Sequence, residues 1–249
     1  MLDVACLWGS DHTELGVIAT ETLGERIGLG ISRGRFPKGY PYVDPNEDVV
    51  LAATDGTTDL LAVLDGHNGF DAARAATQAI LDRVEDLFSL LPEEAAAEAI
   101  TVAGAAVRDA VSGLTGVRRS SGTTICVAVV AGSRLAVASA GDSTAVLVGE
   151  DSRVLTRTTP ALGHGRYRFD EHPITAVVDA GDRLVVATDG LWDFLGGADR
   201  LRPELLDSPR LAVSRLIEAA FNGGAGDNVG VAVRRGSAGE VHVRDRAAS

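Results

Sequence analysis

Cysteine is almost missing from this chain: Cys6 and Cys126 are the only two among 249 residues, too few for a disulfide framework and without the spacing of a zinc site. Cys126 lies inside the apolar run 123–130 with no basic neighbour to depress its pKa, so it reads as a buried free thiol and not as a nucleophile. Basic residues are also in short supply. The 23 Lys and Arg face 35 Asp and Glu, a formal net charge of −12, which argues against docking on nucleic-acid phosphates or on an anionic lipid surface. No run of 18 apolar residues occurs, and Met1-Leu2-Asp3 opens neither a basic nor an apolar segment. We therefore expect no membrane span, no secretion signal and a cytoplasmic location.

What the chain does have is core material. Hydrophobic residues make up 45% and charged residues 23%, enough for a sizeable core at this length, and no repeat, low-complexity tract or linker divides it; a single domain over 1–249 is expected. Apolar runs at 49–53 and 60–64 flank Thr54-Asp55-Gly56-Thr57, a hairpin signal. Residues 70–90 carry apolar positions at helical spacing, and Pro92-Glu93-Glu94 opens an alanine-rich helix to about residue 111. Strands follow at 123–130, 135–140 and 144–148, whose tight links favour antiparallel pairing. The stretch 157–171 reads as a loop. A strand at 183–187, a helix at 211–221 and strands at 229–233 and 241–244 complete a mixed α+β pattern.

The acids recur where strands stop. Glu47 and Asp48, Asp65, Asp142, Asp189 with Asp193, and Asp227 each sit beside Gly or Asn, and the runs bordering Asp65, Asp189 and Asp227 are purely apolar. Taken singly, an Asp-Gly pair serves a turn and a strand-end Asp caps a helix or is solvated. Converging together, such carboxylates repel one another unless a cation neutralises them, and all-oxygen ligands suit Mg²⁺ or Mn²⁺ rather than zinc. Gly66 would let a backbone carbonyl approach such an ion.

The ordered set Asn46-Glu47-Asp48, Asp65-Gly66-His67-Asn68-Gly69, Ser121-Gly122-Thr123-Thr124, Gly141-Asp142-Ser143, Asp189-Gly190-Leu191-Trp192-Asp193 and Gly226-Asp227-Asn228 resembles the metal-dependent serine/threonine phosphatases of the protein phosphatase 2C family, over about residues 28–235. The resemblance implies a sandwich of two antiparallel β-sheets flanked by α-helices, as in a compact bacterial-type member. It implies two Mg²⁺ or Mn²⁺ ions and a weaker third. Asp65 would bridge the two metals, with Gly66 a carbonyl ligand. Asp189 and Asp227 would complete the first site, Glu47 and Asp48 would hold metal-bound waters, and Asp142 would join Asp189 at the third site. Asn228 would support Asp227. His67 would be the general acid, and the implied reaction is attack on a phosphomonoester by water held between two metals.

Two departures from the family pattern stand out. The position four residues before the first-motif Glu, where relatives carry a phosphate-binding Arg, is Val43; Arg33 and Arg35 are the nearest upstream candidates for that contact, ahead of Lys38 because a guanidinium fork grips phosphate better than a point charge. Only some 25 residues separate Thr156 from Gly181-Asp182, so the flap beside the site is trimmed, and with it the usual carrier of substrate selection. The expected substrate is a phosphoprotein carrying phosphoserine or phosphothreonine. The alternatives are a small phosphorylated metabolite, or a silent phosphoprotein-binding module retaining the fold.

Overall fold

A strand whose sequence is an unbroken apolar run has no polar face to turn to water, so both of its faces must be covered. In the computed structural model, which describes residues 1–163, 172–197, 200–201 and 208–236, both are. One sheet orders β1 (Asp3–Trp8), β4 (Val49–Thr54), β5 (Thr58–Leu64), β8 (Ile125–Ala131), β9 (Arg134–Ala140) and β12 (Ile174–Val177). The second orders β11 (Ser152–Val154), β10 (Thr144–Val148), β13 (Arg183–Ala187), β14 (Val229–Arg235), β3 (Ile27–Ser32) and β2 (Ala19–Leu23). Neighbouring strands are antiparallel throughout, and a short pair, β6 (Gly66–His67) with β7 (Gly122–Thr123), sits at one end.

The sheets face each other through Val50, Leu61, Val63 and Cys126 on one side and Leu29, Ile31, Leu184 and Val186 on the other. On the outer face of the first sheet, Leu51, Leu60, Ala62 and Val127 pack against α1 (Asp71–Leu81) and α3 (Pro92–Ser112), whose small alanines let the helices lie close. On the outer face of the second, Val185, Val231 and Val233 pack against α4 (Asp189–Leu195) and α5 (Pro209–Asn222) through Leu191, Val213 and Leu216. Each fully buried Leu or Val contributes roughly 1.5–3 kcal/mol relative to exposure. The expected α+β sandwich is therefore the observed one. No helix among the described residues is long and apolar enough to cross a membrane.

Several expectations need correction. The helical stretch 70–90 is broken: Arg83 leaves helical dihedrals at φ −117°, ψ 4°, and the chain resumes as α2 (Val84–Phe88), which turns Val84 and Leu87 into the core. The expected antiparallel pairing of 135–140 with 144–148 does not form. β9 takes β12 on its free edge, and Gly141-Asp142-Ser143 instead carries the chain from one sheet to the other. β12, between the expected loop 157–171 and the expected strand 183–187, is an edge strand that was not expected. The N-terminal strands β1, β2 and β3 were not expected; the glycines at 28 and 30 dilute the strand signal of β3. The expected strand at 241–244 and residues 164–171 of the expected loop lie outside the described residues.

Candidate functional site

Antiparallel register decides which strand ends share a side. Val49 pairs with Leu64, Ile125 with Ala140, Thr144 with Ala187, Ala187 with Val231 and Val229 with Ser32. The residues just beyond those ends, Asp48, Asp65, Asp142, Asp189 and Asp227, consequently gather at one end of the sandwich. One carboxylate oxygen from each of Asp65, Asp142 and Asp189 lies within 4.8 Å of the other two. Asp65 is buried, Asp189 is half-buried and Asp142, on the crossing link, is exposed.

Each acid is held by a specific local device. Asp65 is anchored through its backbone: its N–H donates to Thr124 Oγ1 at 3.1 Å, and its carbonyl accepts from the Thr123 hydroxyl at 3.1 Å and from Thr124 N–H at 2.9 Å. Glu47, Asp48 and Asn228 are buried. Glu47 Oε1 accepts from the N–H groups of Asp44 (3.0 Å) and Gly69 (2.8 Å), and Arg118 grips Asp44 with both guanidinium nitrogens at 2.9 Å while also donating to Asp71. Asp48 accepts from Thr188 Oγ1 at 2.9 Å. Asn228 Oδ1 accepts from Glu47 N–H at 2.9 Å, and its amide donates to the carbonyls of Arg33 and Pro45. Thr124 and Ser143 stand in motifs that the sequence singles out, but the pairing of their hydroxyls at 2.6 Å, and that of Thr188, the residue preceding α4, with Asp48, are not written there. They are seen only once the chain is folded.

The glycines after Asp65 and Asp189 have a role different from the turn expected of an isolated Asp-Gly. Neither has a positive φ. A Cβ on Gly66 would stand 2.6 Å from the Glu47 carbonyl oxygen, and one on Gly190 would stand 1.8 Å from the Asn228 carbonyl oxygen. Both are glycines of close approach, drawing the acid-bearing segments together. Asp55-Gly56, by contrast, is the expected hairpin turn, with Asp55 Oδ1 accepting from the N–H groups of Thr57 and Thr58 at 2.7 Å each.

His67 stands at the edge of the cluster with its side chain 40% exposed and Nε2 3.9 Å from Asp65 Oδ2. Asn68 beside it holds φ 60°, a left-handed conformation that asparagine tolerates. Asp193 is exposed, one turn along α4.

The cations near the cluster take separate places. Arg33 and Arg35, put forward for the substrate phosphate, are not brought to the carboxylates. The Arg33 guanidinium donates to the Thr13 carbonyl (2.8 Å) and the Tyr42 hydroxyl (3.1 Å), while Arg35 reaches the Phe221 carbonyl (3.4 Å). Lys38, ranked behind them, is the one that enters. Its Nζ lies 3.0 Å from Asp227 Oδ1 and 3.9 Å from Glu47 Oε2. The arginines direct their guanidinium donors to the Thr13 and Phe221 carbonyls and the Tyr42 hydroxyl, whereas Lys38 brings a compact point charge on a flexible stem.

Burial and crowding dominate the electrostatics. Removal from water, with the charge of Asp227 and Asp142 added, pushes Asp65 up to about 7 against the pull of Lys38; burial and the charges of Asp65, Asp227 and Asp142 push Asp189 up to about 8. Burial first, then the charge of Asp65, also raises Asp48. A carboxyl whose pKa is higher in the folded protein than in the unfolded chain binds its proton more tightly when folded. Its contribution to stability is present at low pH and is lost as pH rises through the folded value. In EDTA the melting temperature should accordingly fall between pH 5.5 and 8.5, and saturating Mn²⁺ should remove that fall. A metal-free protein that grows more stable across this window would contradict an uncompensated cluster.

Sequence and structure comparisons relate the chain to known proteins. The sequence profile described as Protein phosphatase 2C matches residues 45–160. The chain is 30% identical over 222 residues to the serine/threonine protein phosphatase PstP of Mycobacterium tuberculosis, with 76% of this chain and 41% of that protein covered. It thus spans about two fifths of the length of that relative. It is 26% identical over 264 residues to the probable protein phosphatase 2C 59 of Oryza sativa subsp. japonica, covering 86% of this chain and 80% of that one. Among solved structures, the catalytic domain of PstP in complex with two manganese ions is similar at a TM-score of 0.65 and 25% identity, over 88% of this chain and 99% of that one.

Proposed function

The chain belongs to the protein phosphatase 2C family, and from that premise we propose that it is a metal-dependent phosphomonoester hydrolase acting on phosphoserine or phosphothreonine in proteins. The observation that carries this reading is the meeting of Asp65, Asp142 and Asp189 within 4.8 Å at the end of the sandwich. Their donor set fits a hard divalent cation: every ligand atom is oxygen, the carboxyls are crowded enough to hold protons near neutrality, and a lysine ammonium already stands among them as a stand-in charge. Asp65 with the Gly66 carbonyl, Asp189 and Asp227 would hold the first ions, Glu47 and Asp48 would act through water, and Asp142 with Asp189 would take a third. Mg²⁺ or Mn²⁺ bound there would supply an acidified water and positive charge for the phosphoryl oxygens.

The chain's own groups do the rest. The hydroxyls of Thr123 and Thr124 keep the Asp65 backbone immobile, and the Arg118–Asp44–Glu47 relay keeps Glu47 aimed at the cluster, so that the ligands are held before any ion arrives. The partly exposed ring of His67 beside Asp65 supports its assignment as the acid that protonates the departing alkoxide. Purified protein should hydrolyse para-nitrophenyl phosphate with Mn²⁺ and lose that turnover in EDTA. Mn²⁺-saturated protein without turnover would refute the proposal, and preference for a small phosphorylated metabolite over a phosphothreonine peptide would refute its protein-directed part.

A further inference from the structure

Two buried or nearly buried acids on opposite ends of the sandwich are neutralised in different ways. At the far end Asp59, on β5, accepts from Arg234 Nε of β14 at 2.7 Å and from Arg26 Nη2, beside the start of β3, at 3.0 Å. Both partners stand on or next to sheet strands, so that counter-charge is permanent. At the carboxylate end the only fixed cation within ion-pair distance of the cluster, among the described residues, is a lysine on a loop.

We propose that Lys38 is an internal cation of the site: without metal its ammonium occupies Oδ1 of Asp227, an oxygen this residue would offer to a metal, and a divalent ion would bind by displacing it. The inference rests on the metal reading above. The Lys38 side chain is only 3% exposed, and its Nζ sits 3.0 Å from Asp227 Oδ1. Tyr40, two residues on, donates its hydroxyl to the other oxygen, Oδ2, at 2.7 Å, with its ring 5.4 Å from the ammonium. One loop therefore occupies both oxygens of a carboxylate whose further hydrogen bond among the described residues comes from the N–H of Asn228, to Oδ1 at 2.7 Å. The charges of Asp48, Asp227 and Asp65 all act on this ammonium.

A divalent ion coordinated by Asp227 would lie within a few ångströms of the ammonium, in a setting too dry to screen the repulsion; the two cations exclude each other. The loop is suited to yield. It is tied at its start, where the N–H groups of Arg35 and Phe36 both donate to the Ala225 carbonyl, while the side chains of Phe36 and Tyr40 are about half exposed. A lysine stem can swing its strongly hydrated ammonium into water without disturbing a strand. The exchange holds the loop against Asp227 before metal arrives, at the cost of weaker metal binding.

Isothermal titration with Mn²⁺ alone tests this on the full chain. Removing the competitor in Lys38→Met should tighten the apparent Kd by about tenfold, the scale expected for a close, desolvated charge pair. Tyr40→Phe, which loosens the same latch without removing charge, should shift it about two- to threefold in the same direction. Lys38→Met should also melt lower than the parent in EDTA and gain more from added Mn²⁺. Unchanged or weaker Mn²⁺ binding by both variants, with the parent binding normally, would overturn the latch and leave the metal reading standing. Absence of Mn²⁺ binding in all three proteins would overturn both.

Discussion

Asp65→Asn is expected to abolish phosphomonoester hydrolysis while making the metal-free protein more stable. The two effects have one cause. Asp65 is a buried carboxylate facing Asp142 and Asp227, and its proton affinity is raised to about 7. Asparagine has the same shape and no charge, so in EDTA at pH 8 the folded state is relieved of a desolvated negative group, a gain of roughly 1–3 kcal/mol. The same substitution removes the bridging ligand proposed for two ions, and loss of a principal electrostatic element of this kind lowers turnover by at least about 10³-fold. Paired measurements decide it: thermal melts in EDTA at pH 8, and turnover of para-nitrophenyl phosphate with Mn²⁺. A variant that keeps its activity removes Asp65 from the centre, and one that melts lower in EDTA contradicts the stored repulsion.

Asp59→Ala should have the opposite profile, a large stability loss with the chemistry intact. Asp59 is fully buried, accepts from Arg234, Arg26 and the Thr54 hydroxyl (2.6 Å), and lies at the opposite end of β5 from Asp65. That separation is about 20 Å at 3.3 Å per residue. Truncation leaves the Arg234 guanidinium buried without its partner, and its Nη1 already lacks one. Breaking a buried pair in this way costs about 3–5 kcal/mol, or a melting temperature lower by about 10 °C for a chain of this size. At a temperature where the variant remains folded, turnover per folded molecule should match the parent. Replacing Asp59 by Leu together with Arg234 by Met should restore much of the loss, because the cost lies in the orphaned charge and not in the missing contact. A small effect of Asp59→Ala, below about 1 kcal/mol, would mean that water reaches Arg234.

Side by side, these two aspartates show how far residue patterns reach. Asp65 was legible because it follows Leu-Ala-Val-Leu and precedes Gly-His, in an order shared with a family. Asp59 was not, because nothing local to Thr58-Asp59-Leu60 announces a partner; its cation is 175 positions away. Similarly, nothing local to Thr188 or Thr124 names Asp48 or Asp65 as the group folded against it. The link Gly141-Asp142-Ser143 has the length of a hairpin turn, yet β9 pairs with β12 and β10 with β11 and β13, so it crosses between the sheets.

The sequence by itself determined most of the strands that are buried on both faces, though not β3, the helices α1, α3 and α5 that cover them, the acids that punctuate them and the order of motifs that identifies the family. These are properties of consecutive residues: apolar runs, capping residues and chain-breaking glycines act within a few positions of themselves. Only the tertiary structure decided which cation meets which carboxylate, placing Arg234 and Arg26 on Asp59 and the Lys38–Tyr40 pair, rather than Arg33 or Arg35, on Asp227. The physical reason is that counter-charge depends on distance in space. Strand register and the path of one loop bring together groups as much as 187 residues apart, and no local pattern encodes that approach.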